Sequence, residues 1–182
     1  MSLSKPYIRP IVRGKETKAV EFGAKVNKLQ IDGISFIEHF SYNAFNEGTR
    51  LINCIALHRN LFGKCTHHSA DKIYATNANR TYCSQNKITT NFVPKGKQKA
   101  GHQDQNKVMR TVLNKERGTR LEGSFGNEKN HYNLQKINAR NGETEKCWIF
   151  FGIMTANASI IINRREKETA LKKAIANGRQ AA

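Results

Sequence analysis

Residues 19–40 read AVEFGAKVNKLQIDGISFIEHF, and their pattern sets the architecture of the first part of the chain. Apolar and polar residues alternate through Ala19–Ile31, which is typical of a half-buried strand. Asp32 and Gly33 then form a two-residue turn signal, and Ile34–Phe40 resumes the alternation. The sequence therefore predicts a β-hairpin closed by a tight turn.

Helices and strands are predicted to alternate after this hairpin. Asn46–Leu61 has the apolar spacing of an amphipathic helix, which Gly63 would end. Three shorter elements follow: a weak strand at Lys64–Ala70, a brief helix at Ala75–Ser84 and a strand at Ile88–Val93. A hairpin followed by such an alternation predicts a mixed α/β fold.

A basic, glutamine-rich stretch, Pro94–Lys107, separates these elements from a helical second half. It has no apolar periodicity, so we expect a mobile loop in which Lys95 and Lys97 are candidate phosphate contacts. Val108–Glu116 is predicted to be a helix.

The most apolar stretch is Cys147–Asn163, which reads CWIFFGIMTANASIIIN. It belongs to a long predicted helix, Glu143–Arg165, that continues as a charged helix over Glu166–Ala176. A membrane-spanning helix needs about 20 apolar residues, and this shorter stretch is interrupted by Thr, Asn and Ser. We therefore expect a buried helix and no membrane association.

Charge is the most unusual feature of the composition. The chain has 182 residues, which suits one domain, and its 31 Lys and Arg against 14 Asp and Glu give a formal charge of +17. So large an excess resists compaction unless a polyanion neutralises it, which makes nucleic acid the leading partner. The four cysteines have no CxxC spacing and no secretory signal precedes them, so reduced thiols in a cytoplasmic protein are expected.

Two acids are candidates for chemistry. Glu122 lies in RGTRLEGSFGNEKNHYNL, residues 117–134, and Lys129 follows it by about two helical turns on the same face. Gly123 and Gly126 remove side chains from that surface, so a bulky ligand could approach; the alternative is an ordinary solvated helix. Asp71 follows a predicted strand, where open α/β sheets place their ligands, although it could equally cap the next turn.

Four blocks of this sequence, taken together, resemble a known enzyme family. They read RGKETKAVEFGAKV, DGISFIEHFSYNAFNEG, ADKIYATNANRTYC and LEGSFGNEKNHYNL. In order and spacing they are similar to successive blocks of bacterial insertion-sequence transposases of the DDE type. The resemblance covers the chain from about Lys5 to about Asn163.

The resemblance implies a ribonuclease-H-like mixed sheet with flanking helices, and two Mg²⁺ or Mn²⁺ ions held by three carboxylates. Asp71 matches the second aspartate and Glu122 the glutamate of that triad. Lys129 matches a lysine that contacts phosphate near the transposon end, and Tyr132 would lie near that DNA or support the helix. Relatives often have an arginine four residues before the glutamate, where this chain has Gly118 between two candidate replacements, Arg117 and Arg120.

The first aspartate of the triad, with the strand that carries it, has no counterpart in this sequence. The resemblance therefore implies an incomplete sheet, with residues 1–18 as a basic lead-in, 19–165 as the C-terminal portion of the catalytic domain and 166–182 as a charged helical tail. Such a chain would bind double-stranded DNA at transposon ends and target, in the bacterial nucleoid, yet be inactive alone. Its partner would be a second copy or the missing N-terminal portion. The alternative is a basic nucleic-acid-binding module, or a regulator of transposition, without metal chemistry.

Overall fold

The computed structural model describes residues 5–12, 20–96, 101 and 103–180, and these residues form a mixed α/β structure, which confirms that prediction. The strands are β1 (Pro10–Val12), β2 (Val20–Phe22), β3 (Lys25–Ile31), β4 (Ile34–Ser41), β5 (His67–His68) and β6 (Thr89–Thr90). The helices are α1 (Leu51–Phe62), α2 (Asn77–Gln85), α3 (Gln103–Glu116), α4 (Gly123–His131) and α5 (Gly142–Gln180). Within the described ranges the strands form three separate pairs: β1–β2, β3–β4 and β5–β6.

The predicted hairpin is present as β3 and β4. Asp32 and Gly33 both have positive φ, 47° and 79°, as a tight hairpin turn requires. The strand predicted over Ala19–Ile31 is not continuous, however. Gly23, with φ of 151°, separates β3 from β2, and β2 pairs with β1 instead of extending the hairpin. Residues 1–4 and 13–18 of the predicted lead-in, and Ala19 of the predicted strand, lie outside the described residues.

Helix α1 forms over most of the stretch whose apolar spacing predicts it, but it begins at Leu51 and not at Asn46. Asn46 caps a preceding 3₁₀ turn by accepting a hydrogen bond from the backbone of Gly48 at 2.9 Å. The helix ends at Gly63, whose φ of 80° favours glycine. Leu51 and Ile55 are completely buried on its inner face.

Helix α2 connects two short parallel strands. β5 pairs with β6 through His67 opposite Thr89 and His68 opposite Thr90, so the predicted strands exist but are much shorter than expected. A compact core surrounds them, made of Leu51, Ile55, Cys65, Ala70, Tyr74, Cys83, Ile88 and Phe92. This core anchors the segment that carries Asp71.

Helices α3 and α4 are parts of one continuous helical segment joined by a π-helical turn, Arg117–Glu122. The backbone stays helical at Gly123, with φ of −59° and ψ of −37°. Helix α3 begins at Gln103. The prediction of a loop up to Lys107 is therefore wrong for its last five residues. Lys97 and its neighbours up to residue 100 lie outside the described residues.

Helix α5 is a single helix, as the two adjoining helical predictions imply, but it is buried on one face only. Its inner side packs on the hairpin, where Asn157 hydrogen-bonds both the N–H and the C=O of Ser35 at 2.8 Å. Its outer side exposes Phe151 and Ile162, which corrects the expectation of a buried helix. In the part of the chain that is described, α5 is the one helix long and apolar enough to cross a membrane, by length and composition alone.

Candidate functional site

A cavity of about 370 Å³ lies beside Asp71, between the β5–β6 pair and the end of α3. Its polar lining is contributed by Asp71, Lys72, Arg80, Asn91, Asn114 and Arg117. Three of these side chains are cationic and one is acidic, so the cavity has a positive balance. Residues from the middle of the chain and from the helical segment that carries Glu122 both line the cavity.

Asp71 is exposed at the mouth of this cavity, three residues after β5. Its Oδ1 accepts a hydrogen bond from the backbone N–H of Lys72 at 2.6 Å, which caps the 3₁₀ turn Lys72–Tyr74. The capping interpretation of this aspartate is therefore confirmed for one oxygen. Capping fixes the orientation of the carboxyl group without burying it, so a role as a ligand is compatible with the geometry.

The π-helical turn places Arg117 and Glu122 in contact. Arg117 Nη1 lies 2.8 Å from Glu122 Oε1. In a regular α-helix residues five apart point about 140° away from each other, whereas the wider π turn bonds residue i to residue i+5 and brings them onto one side. The π turn therefore brings the two side chains close enough to pair.

Arg117 is the residue that relates the two candidate acids. Its side chain lines the cavity of Asp71 while it holds the carboxylate of Glu122. The side chain of Arg117 is 26% exposed and that of Glu122 is 57% exposed, so the pair is accessible from solvent. Arg117 Nε is buried and makes no hydrogen bond to any residue that the structure describes.

Asn91 holds the wall of the cavity in place. Its amide accepts from the N–H of Ala70 at 3.0 Å and donates to the C=O of Ala70 at 2.8 Å, as a neighbouring strand would. The same amide donates to Asn114 on α3 at 2.8 Å, and Ser69 donates to the C=O of Leu113 at 2.9 Å. These contacts fix the end of α3 against the segment that leads to Asp71, and no sequence motif indicated them.

A buried ion pair attaches α4 to the hairpin. Lys28 Nζ lies 2.7 Å from Glu128 Oε1 and donates to Ser124 at 2.7 Å, and Ser35 donates to Glu128 at 3.3 Å. Lys28 Nζ also lies 3.9 Å from the centre of the Phe125 ring. Burial lowers the pKa of Lys28, against the opposing effect of its hydrogen bond to Glu128. Neither residue is predicted from the sequence as part of the site, although a lysine inside an apolar strand pattern is a signal of such a buried pair.

The side chain of Arg120 forms an ion pair with the hairpin turn. It pairs with Asp32 at 3.0 Å and with Glu116 at 2.8 Å, and Arg164 from α5 also pairs with Asp32 at 3.0 Å. All of these groups are well exposed, so the contacts are weak and salt-sensitive. Arg120 therefore points to the hairpin, whereas Arg117 points to the cavity.

The remaining predicted contacts lie on the surface around α4 and α2. Lys129 is exposed on α4, and Lys95 is exposed and donates to Asn77 at 2.7 Å. Tyr132 ends α4 and is half-buried, with its backbone carbonyl against Gly152 of α5. The expectation that Tyr132 supports the helix fits this position; its proximity to DNA remains a prediction.

Among the described residues, no three His, Cys, Asp or Glu side chains form a group that could hold an ion. Asp71 and Glu122 supply two carboxylates, and Glu122 is engaged by Arg117.

Comparisons with known proteins identify no relative. No protein family, no curated protein and no solved structure matches this chain. The resemblance to DDE-type transposases therefore remains a hypothesis, which depends on the sequence blocks quoted above.

Proposed function

We propose that this chain is the DNA-binding and metal-binding part of a DDE-type transposase, with its site around Asp71, Arg117 and Glu122. The position of Arg117 supports this best, because one guanidinium lines the cavity of Asp71 and binds the carboxylate of Glu122. Two acids that are distant in sequence thereby share one cationic neighbour. The π turn adds support, since such turns occur frequently at functional sites.

The proposed cofactor is Mg²⁺ or Mn²⁺. Carboxylates are suitable ligands for both ions, and Mg²⁺ is usually held by one or two carboxylates with waters and substrate phosphates. Two bound ions would stabilise the attacking and leaving oxygens of a phosphodiester. The third carboxylate that such a pair requires is placed, by the resemblance, on a strand preceding the hairpin. We therefore propose a chain that binds DNA and does not cleave it alone.

The complete site would have a ribonuclease-H-like sheet. β3 and β4 are antiparallel, and β5 and β6 are parallel, which are the two kinds of pairing that such a mixed sheet combines. One strand between β3 and β5 would unite the two pairs and bring its acid beside Asp71. The N-terminal portion of the transposase or a second copy of the chain would supply that strand.

The proposed partner is double-stranded DNA, as transposon end and as target, in the bacterial nucleoid. The charge of +17 supports a polyanionic partner, and affinity should fall steeply as salt rises. The proposed phosphate contacts are Lys95, Arg117, Arg120 and Lys129, with Tyr132 beside them.

Manganese binding tests the proposal directly. The purified chain would be titrated with Mn²⁺ and free ion followed by electron paramagnetic resonance, in parallel with Asp71→Ala and Glu122→Ala. We expect a site that each substitution weakens at least tenfold. Asp104→Ala removes an acid from the first turn of α3 and serves as the matched control. Equal binding by all four proteins would refute the carboxylate site.

The alternative function is a basic nucleic-acid-binding module without metal chemistry. It rests on the charge of +17, which by itself favours a polyanionic partner. Both functions predict salt-sensitive DNA binding, so DNA affinity cannot distinguish them. Under the alternative, Asp71→Ala and Glu122→Ala change neither Mn²⁺ binding nor the response of DNA binding to Mn²⁺.

A further inference from the structure

Arg80 on α2 and Arg117 at the end of α3 line one cavity together with Lys72. We propose that this cavity is a pocket for the end of a DNA strand, in which the terminal phosphate, a monoester, is bound with its nucleotide beside it. The inference rests on the proposed function in taking DNA as the source of the phosphate. It needs no metal ion, because the protein's own cations would bind the anion.

The charge of the lining favours a phosphate monoester over an internal phosphodiester. Three cationic side chains and the carboxylate of Asp71 give the lining a net charge of +2. A phosphate monoester carries about −1.5 to −2 charges at pH 7, whereas each phosphodiester of a strand carries about one. Glu122 lies outside the lining and is 57% exposed, so solvent weakens its hold on Arg117.

Two residues at the end of α3 supply unused donors. Arg117 Nε is buried and makes no hydrogen bond to any described residue, and a buried donor left unsatisfied is costly. Asn114 accepts a hydrogen bond from Asn91 with its Oδ1 at 2.8 Å, and within the described ranges no hydrogen bond engages its side-chain N–H groups. An anion in the cavity would satisfy donors of both residues.

Arg80 is held in one orientation beside them. It donates through Nε to the C=O of Ala75 at 3.0 Å and through Nη1 to that of Val93 at 2.7 Å. Its guanidinium carbon lies 5.5 Å from the centre of the Phe92 ring, which also lines the cavity. Neither bond uses Nη2, and a side chain fixed in this way loses little freedom when it binds an anion. The planar guanidinium fork suits phosphate oxygens.

The size of the cavity limits what can enter it. Sites for small ligands measure about 300–1,000 Å³, and this cavity of about 370 Å³ is near the lower limit. It admits a single nucleotide and excludes a double helix. Phe92 and Val93 add apolar surface to the lining, against which a sugar or base can pack. The ligand that fits is therefore the end of a strand.

The test uses trithymidylates with a phosphate at the 5′ end, at the 3′ end or at neither end. Isothermal titration calorimetry at constant ionic strength, with a chelator of divalent ions present, measures their affinities for the unmodified chain. We expect one terminal phosphate to tighten binding at least about tenfold, as one hydrogen bond to a charged group does. The two phosphorylated ligands distinguish the ends, and inorganic phosphate is titrated as a competitor.

Variants assign the effect to the cavity. Arg80→Gln and Arg117→Gln should each reduce the preference for the terminal phosphate at least about tenfold. Arg164→Gln removes a cation that pairs with Asp32 and does not line the cavity, so it should leave the preference unchanged. Asp71→Asn removes the acid of the lining and should tighten phosphate binding up to about fivefold. This gain tests the pocket even if an arginine variant fails to fold, which circular dichroism melts establish.

Several outcomes would overturn the pocket. Equal binding of all three trithymidylates, with duplex DNA still bound, would overturn it alone. A preference that persists in both arginine variants would overturn its assignment to this cavity. Inorganic phosphate that competes as strongly as the phosphorylated trithymidylate would overturn the nucleotide and leave a site for free phosphate. If the chain binds neither trithymidylates nor duplex DNA, the proposed function fails together with the pocket.

Discussion

Lys28 of β3 and Glu128 of α4 form an ion pair, 2.7 Å long, whose side chains are only 1% and 5% exposed. The pair spans 100 residues of sequence and joins the hairpin to the helix that follows Glu122. Two serine hydroxyls supply further hydrogen bonds, as a buried charge requires. The orientation of α4, and with it the position of the π turn, depends on this pair.

Removing one member of the pair should be strongly destabilising. Lys28→Met leaves the carboxylate of Glu128 buried without its cation, and we expect the free energy of unfolding to fall by about 3–5 kcal/mol. Urea denaturation followed by circular dichroism measures the change. Lys25→Met is the control in the same strand, because its partner Glu47 is 36% exposed, and it should cost less than about 1 kcal/mol.

The double substitution Lys28→Met with Glu128→Leu separates the ion pair from general packing. Replacing both charges by apolar groups removes the uncompensated charge, so the double variant should be more stable than Lys28→Met. A double variant as unstable as the single one would mean that shape at this position, and not charge, determines the loss.

Acid should destabilise the protein through His68. Burial, and to a smaller extent the nearby charge of His58, lowers the pKa of His68 to about 4. In the unfolded chain a histidine titrates near pH 6.5, so between these values the unfolded state binds more protons. Stability is therefore lost as pH falls from about 6.5 towards 4, by about 2 kcal/mol between pH 7 and pH 5.

Urea melts at pH 7 and pH 5 test this dependence. His68→Gln should remove the loss of about 2 kcal/mol between pH 7 and pH 5. Substituting its exposed neighbour, His67→Gln, should leave the pH dependence unchanged. If the unmodified chain and His68→Gln lose equal stability on acidification, the charged form of His68 is not excluded from the fold.

Local signals in the sequence predicted the elements that depend on single residues. Asp32 and Gly33 specify a tight turn because both adopt positive φ, and Gly63 ends α1 for the same reason. The break at Gly23 was missed, because alternation continues across it and only the pairing of β2 with β1 reveals it. Periodicity cannot report which strand a segment will pair with.

The candidate site was predictable only as a set of residue types. Glu122 and Arg117 were recognised separately, but their contact requires a π turn, and no residue pattern specifies that turn. Asn91 and Glu128 were missed because their partners, Ala70 and Lys28, are 21 and 100 residues away. Contacts between residues so far apart in sequence determine the site, and no short stretch of sequence contains both partners.

Gly152 should be intolerant of a side chain. A Cβ there would lie 2.6 Å from Leu134 Cδ2 and 3.2 Å from the carbonyl oxygen of Tyr132. Gly152→Ala should therefore destabilise the protein by about 1–3 kcal/mol. Gly126→Ala is the matched helical control, because open space surrounds that position, and it should stabilise by up to about 1 kcal/mol. Thermal melts measure both variants, and a higher melting temperature for Gly152→Ala than for Gly126→Ala would contradict this prediction.

The outer face of α5 should make the isolated chain prone to association. Phe151 is 63% exposed and Ile162 is 54% exposed, on a helix whose opposite face already packs on the hairpin. A helix that is apolar on both faces normally buries both, and exposed apolar patches of this kind promote aggregation. The double variant Phe151→Glu with Ile162→Glu should therefore bind less anilinonaphthalene sulfonate and stay soluble at higher concentration.

The buried face supplies the control for this prediction. Ile153 is 3% exposed, so Ile153→Glu should unfold the protein and increase dye binding, although it adds the same charge to the same helix. Light scattering and size-exclusion chromatography would compare the three proteins. A monodisperse monomer with a sharp cooperative melt and no dye binding would contradict the prediction. In that case the outer face of α5 is stable in water, and the fold needs no further strand or partner to cover it.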